Sequence, residues 1–273
     1  MLKGVDLSKH NGIVDFSQLK DVVDFVIIRG GYGSLDKQKD EQFERNYSEC
    51  KKYGIPVGMY LYSYAQNLTN AENEANFILR LIKDKQFEYP IIFDFEDPSQ
   101  TGLTKQERTD IAFKVLETVE NAGNYVMLYA NRNWLTTKLD MTRLNRFDTW
   151  LAEWVSANYF EVSQKPKYTG NYGIWQFTSK GSVKGVQGNC DLNFAYKDYP
   201  NIIKRNGFNG FSKTENKPEQ EDYIIYTVKK NDNLWNIATK YLGSGTRWTE
   251  IQKLNNIEGT IIYPNQQLKI PKK

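Results

Sequence analysis

A chain of 273 residues with one histidine, two cysteines and a formal charge of +3 excludes several chemistries at once. With His10 alone, a zinc site built on two histidines is ruled out, and Ser-His or Cys-His catalysis has a single base to run through. Cys50 and Cys190 lack metal-ligand spacing and read as reduced, buried thiols; no run approaches about 18 apolar residues and Met1-Leu-Lys leads straight into a strand, so neither a membrane span nor a signal peptide is expected.

Apolar runs bounded by turn residues predict strands at 4–8, 25–32, 56–64, 90–96, 125–130, 149–154, 173–179 and 190–196. Helices are predicted at 39–53, 70–84 and 105–122. Thr69-Asn-Ala-Glu72 and Thr104-Lys-Gln-Glu107 read as capping boxes for the last two, and Gly123 ends the third. Alternating strand and helix predict an α/β fold, an irregular β/α barrel, over a sandwich. The ten residues 180–189 are rich in glycine and too short for a parallel crossover, which needs a dozen or more. Strand eight is therefore expected to run antiparallel to strand seven. That reversal carries Asp191, at its start, to the top face where barrel active sites lie.

Residues 90–97 read Pro-Ile-Ile-Phe-Asp-Phe-Glu-Asp. Alternate side chains share a strand face, so Asp94 and Glu96 point one way and Phe93 and Phe95 the other. Two strand steps separate the carboxylates by roughly 6.5–7 Å. Each charge then raises the other's pKa, and one carboxyl stays protonated while its neighbour ionises. Asp6 ends strand one, so four acids are expected on a common rim. Crowded carboxylates are costly unless they do chemistry or hold a cation. Glycoside cleavage uses such a pair; a Ca²⁺ or Mg²⁺ site is the rival reading. Tyr32, Tyr62, Tyr64, Tyr129, Trp154 and Trp175 are expected on the same rim, Tyr62 and Trp175 being the choices for sugar stacking.

The segments Gly4-Val-Asp-Leu-Ser-Lys-His-Asn-Gly12, Phe25-Val-Ile-Ile-Arg-Gly-Gly-Tyr-Gly33, Gly58-Met-Tyr-Leu-Tyr62, Pro90–Glu96, Ile174-Trp-Gln-Phe177 and Gly188-Asn-Cys-Asp-Leu-Asn193 resemble glycoside hydrolase family 25 over residues 2–197. The resemblance implies five β/α units followed by three strands, and an N-acetylmuramidase acting on bacterial peptidoglycan with retention of configuration. It implies Glu96 as general acid/base, with Asp94, Asp6 and Asp191 shaping its pKa, the substrate and the developing cation. Neighbouring negative charge is expected to keep Glu96 un-ionised near neutrality. Arg29, Tyr32, Tyr62 and Trp175 are the candidate substrate contacts; no metal or cofactor is expected.

Residues 1–205 are expected to form the barrel. Residues 206–222, polar with Gly and Pro, read as a flexible linker. Residues 223–273 carry eight basic and three acidic groups, a field suited to docking on anionic wall polymers. No Lys/Arg-rich arm points to nucleic acid. Residues 226–271 resemble a LysM module, a βααβ unit that grips N-acetylglucosamine-containing glycans. Asn231 and Asn265 stand where that family usually has Gly, and the groove is expected between 232–236 and 261–265. The whole reads as a wall-anchored muramidase of bacteriophage endolysin type, held in the host cytoplasm until release. A chitinase-like glycosidase and a non-catalytic glycan binder are the alternatives.

Overall fold

The computed structural model describes residues 1–213 and 223–272. The chain divides into two compact units, Met1–Thr214 and Glu215–Lys273.

Eight strands close the first unit into a barrel in sequence order. They are β1 (Leu2–Leu7), β2 (Phe25–Tyr32), β3 (Val57–Tyr62), β4 (Ile91–Asp94), β5 (Val126–Asn131), β6 (Asp148–Ala152), β7 (Ile174–Gly181) and β8 (Cys190–Ala195). The first seven pair in parallel. β8 runs antiparallel to both β7 and β1, as the short glycine-rich connection requires. Helices α1 (Phe16–Leu19), α2 (Phe43–Tyr53), α3 (Leu68–Ile82), α4 (Lys105–Asn121) and α5 (Met141–Leu144) follow the first five strands in turn. After β5 the alternation stops. This is the expected arrangement of five β/α units and three strands.

The capping box at Thr104 forms as read: Thr104 Oγ1 accepts from the Glu107 amide at 3.2 Å, and Glu107 Oε2 accepts from the Thr104 amide at 2.7 Å. The box expected at Thr69 does not open α3. That helix begins at Leu68, and Asn67 caps it by accepting from the Asn70 amide.

Strand alternation divides the core into two layers. Outward side chains such as Val26, Met59, Phe93 and Trp175 pack beneath the helices. Inward ones such as Phe25, Ile27, Ile92, Met127, Trp150 and Ile174 fill the barrel. Gly4 supplies room at the bottom, because a Cβ there would lie 2.2 Å from the Phe25 ring.

Residues 206–213 correct the expected linker. Helix α6 (Tyr199–Asn206) ends on left-handed Gly207, and the chain then folds back under the barrel. Phe208 and Phe211 pack against the interior cluster. Asn209 is 2% exposed and its side chain bonds the backbones of Phe87, Tyr89 and Tyr125 at 3.1, 2.9 and 2.8 Å. The polar composition here satisfies buried backbone rather than water. The remaining linker residues, 214–222, lie outside the described residues.

The second unit pairs β9 (Tyr223–Thr227) with β10 (Gln267–Pro271) in antiparallel fashion and adds α7 (Leu234–Leu242) and α8 (Trp248–Leu254). Its core includes Val228, Leu234, Ile237, Ile251, Leu268 and Ile270. Asn231 and Asn265 take φ of 73° and 69°, the left-handed region that Asn tolerates in place of Gly. A cavity of about 410 Å³ is lined by Asn233, Leu234, Trp235, Asn236, Trp248 and Thr260. It meets the first half of the expected groove; residues 261–265 do not line it.

Candidate active site

The four acids meet at the C-terminal ends of the parallel strands. Asp6 on β1 is the register partner of Asp191 on β8. Asp94 ends β4 beside Tyr62 of β3 and Tyr129 of β5. Glu96 lies two residues past the end of β4 rather than within it. Tyr129, 7% exposed, stands beside Asp94 and donates its hydroxyl to Gln176. Burial first, then the charges of Glu96, Asp94, Asp6 and Asp191, all push its pKa up.

Asp6 is held by a directed network. Gln176 Nε2 and Asn193 Nδ2 donate to its Oδ2 at 3.0 and 2.8 Å. Tyr129 Oη and Trp154 Nε1 each donate to Gln176 Oε1 at 3.0 Å, and Trp150 Nε1 donates to Asn193 Oδ1 at 2.8 Å. Each donor turns the next amide so that its N–H₂ faces Asp6, which favours the carboxylate. Burial nevertheless raises both Asp6 and Asp191, and the charge of Asp6 lifts Asp191 the higher. Burial and mutual repulsion therefore favour one proton on the pair, with Asp191 the more strongly raised.

That proton has a cost for the fold. Asp191 moves from 3.8 to about 8. As pH climbs through that interval the unfolded chain releases its proton first, so the penalty is absent below pH 4 and complete above pH 8. Asp191→Asn removes it and keeps an N–H donor for Asp6. Thermal melting should show the variant more stable by about 1–3 kcal/mol at pH 8 and unchanged at pH 4, with cleavage impaired.

At Asp94 and Glu96 the structure corrects the expectation about charge. Burial raises both. The repulsion of the neighbours falls on Asp94, which is 6% exposed and has an Oδ1 with no hydrogen-bond partner among the described residues. Glu96 is half-buried, and its Oε2 accepts from the Asn131 amide at 2.6 Å and from Asn131 Nδ2 at 2.7 Å. Those donors pull its pKa back down. Asn131→Ala removes one of them, so Glu96 should hold its proton to higher pH. The alkaline limb of the cleavage rate should move upward; a limb that stays or falls would show that Glu96 does not set it.

Of the candidate substrate contacts, Arg29, Tyr32 and Tyr62 come together. They line a cavity of about 280 Å³ with Lys9, His10 and Tyr64. Beneath it, buried Glu74 accepts from Ser63 Oγ at 2.6 Å and from the Tyr64 amide at 2.8 Å, which fixes the turn bearing the two tyrosines. None of the four acids lines this cavity or the barrel unit's larger ones of about 710, 690 and 320 Å³.

Trp175 is elsewhere. Its neighbours Ile174 and Gln176 face the interior, so alternation turns Trp175 outward against Phe177 and Phe194, 2% exposed. It cannot stack on a sugar. Its Nε1 instead donates to the Glu153 carbonyl at 2.8 Å, next to Trp154, which is 61% exposed above Gln176. Sequence reading also passed over Asn131, Gln176 and Asn193. Each is a polar residue flanked by apolar neighbours in its strand, and that pattern was the available signal. Among the described residues no group of three or more His, Cys, Asp or Glu could hold a metal ion.

Residues 5–186 match the model of glycosyl hydrolases family 25, and residues 226–271 match the LysM domain. The chain belongs to glycosyl hydrolases family 25. It is 27% identical over 192 residues to an autolytic lysozyme of Clostridium acetobutylicum, covering 70% of this chain and 55% of that one. Lysozyme M1 of Streptomyces globisporus is 26% identical over 206 residues, 70% and 67% of the two chains. The chain thus spans little more than half the length of the clostridial relative. Among solved structures, the CTP1L endolysin aligns with a TM-score of 0.64 at 26% identity, covering 75% of this chain and 70% of that one. The autolysin LytC of Streptococcus pneumoniae aligns at 0.60 and 32% identity, covering 70% and 46%.

Proposed function

We propose that this family 25 protein is a peptidoglycan hydrolase, an N-acetylmuramidase cutting the β-1,4 bond between N-acetylmuramic acid and N-acetylglucosamine. The observation that supports the reading best is the placing of Asp6 and Asp191 as register partners, with Asp94 at the end of β4 and Glu96 two residues beyond it, at one mouth of the barrel. Protonated Glu96, the half-open member, gives its proton to the glycosidic oxygen as the C1–O bond breaks and an oxocarbenium-like centre forms. The negative charge centred on Asp6 favours that cation. The substrate's own N-acetyl oxygen closes on C1, and Asp94, with one oxygen that has no partner among the described residues, orients the acetamido group. Water then opens the intermediate with retained configuration. Trp154 is the sugar platform in place of Trp175, with Arg29, Tyr32 and Tyr62 on the facing wall.

Digestion of purified walls followed by mass spectrometry of the new reducing ends tests this. Muramic acid at those ends is expected; glucosamine would make the enzyme a glucosaminidase, and cleavage of chitin alone a chitinase. Inverted product by NMR would end the substrate-assisted step.

The LysM module is the wall anchor in this reading, and its basic surplus suits anionic wall polymers. The likeness to the CTP1L endolysin supports a role in host lysis, with the protein held in the host cytoplasm before release. Among the described residues no helix is long and apolar enough to cross a membrane. Likeness to LytC and the clostridial enzyme favours an autolysin as second reading. Expression inside a bacterium separates them: an endolysin lyses the cell only when the membrane is permeabilised, an exported autolysin without it.

A further inference from the structure

Arg29 is an unusual resident of the barrel mouth. It ends the regular part of β2, where the register with β3 shifts between Arg29 and Gly31, and such irregularities re-aim side chains beside active sites. Its side chain is 13% exposed and its partner Asp40 only 1%. Yet the pair is joined by one tooth: Arg29 Nε donates to Asp40 Oδ2 at 2.6 Å. Asp40 spends its remaining capacity on backbone, accepting from the Lys9 amide at 3.1 Å and the Gln42 amide at 2.9 Å. Both terminal nitrogens of Arg29 are left without a protein acceptor among the described residues, in a side chain that lines the 280 Å³ cavity. A guanidinium presents its two terminal nitrogens as a planar fork matched to a carboxylate.

The surroundings favour an anion over a neutral acceptor. Lys9 and His10 line the same cavity, and Lys9's bond to Glu41 at 3.0 Å is a surface pair of little strength. The walls are the rings of Tyr32, Tyr62 and Tyr64. Tyr62 is the register partner of Asp94, which sets this cavity beside the acids. A local cation offsets the repulsion between an acidic substrate and Asp6, the acid whose charge is held by the N–H groups of Gln176 and Asn193.

We propose that the Arg29 fork binds a carboxylate carried by the substrate, and that this contact selects acidic muramyl glycan over neutral chitin-like chains. The inference rests on the muramidase reading and adds what that reading leaves open, the group that marks the substrate. Two carboxylates fit: that of the lactyl ether on a peptide-free muramic acid, and that of a peptide stem.

Three soluble glycans of equal length test it: one with free lactyl acids, one with peptide stems, and one with the lactyl carboxyls reduced to alcohols. Wild-type protein is expected to show a KM about 10–100-fold higher on the reduced glycan, the range for one charge-assisted pair, with kcat little changed. Arg29→Gln should raise KM by a larger factor on the carboxyl-bearing glycans than on the reduced one, which reports only the loss of the Asp40 pair. Arg29→Lys, charge without the fork, should fall between. A penalty confined to the peptide-free glycan assigns the lactyl acid; one confined to the stem-bearing glycan assigns the stem. Equal wild-type KM on all three, or equal loss in Arg29→Gln on all three, would overturn the inference alone. No cleavage of any would overturn the muramidase reading with it. The wild-type comparison needs no variant to fold.

Discussion

Glu96→Gln should slow glycan cleavage about 10²–10⁴-fold while fold and wall binding persist. The amide has the carboxyl's shape, and its oxygen can still accept from the Asn131 amide and Nδ2, the two bonds that hold Glu96 now. It cannot release a proton. Release of reducing ends measures the first effect and sedimentation with purified walls the second. Unchanged lysis would remove Glu96 from the reaction and with it the catalytic reading. The comparison with Asp94 is informative, because burial and repulsion there give Asp94 the stronger hold on a proton. If Asp94→Asn, and not Glu96→Gln, abolished cleavage, the roles within the strand-four pair would have to be exchanged. Solvent access argues against the exchange: a proton donor must reach the glycosidic oxygen, and Glu96 is the half-open member.

The strands were legible because each is a short apolar run between turn residues, and β8's direction followed from a connection too short to cross over. The acids were legible for a related reason. A carboxylate at the end of a buried strand has few places to be. What the sequence concealed was mostly a matter of facing. Trp175 and Trp154 both lie near strand ends, and only alternation counted from Gln176 separates the buried one from the exposed one. Asn131, Gln176 and Asn193 were hidden because an amide has no charge to attract notice, although these three fix the two carboxylates that bound the site. Composition misled at 206–213 for a similar reason. Asn and Gly mark loops in general, and here Asn209, at φ 53°, spends its polarity on buried backbone.

That correction decides where the anchor can be removed. A chain ending at Lys213 should retain the barrel's stability and its rate on soluble glycan, and lose up to about 10²–10⁴-fold in lysis of whole cells, the scale of a lost second binding event. A chain ending at Arg205 should fail differently. It loses Asn209, whose side chain and backbone make five hydrogen bonds, to Phe87 twice, Tyr89, Tyr125 and Gly123. Each buried partner left unsatisfied costs about 1–3 kcal/mol, and Phe208 and Phe211 go with it, uncovering interior residues such as Tyr89 and Tyr199. Several such losses rival the whole stability of an ordinary domain. The shorter chain should therefore lose activity on soluble and whole-cell substrates alike and melt well below the longer one. If both truncations kept full activity on soluble glycan, the tail would be dispensable packing. If the longer one lost soluble-glycan activity as well, the C-terminal module would contribute to the site rather than to wall affinity.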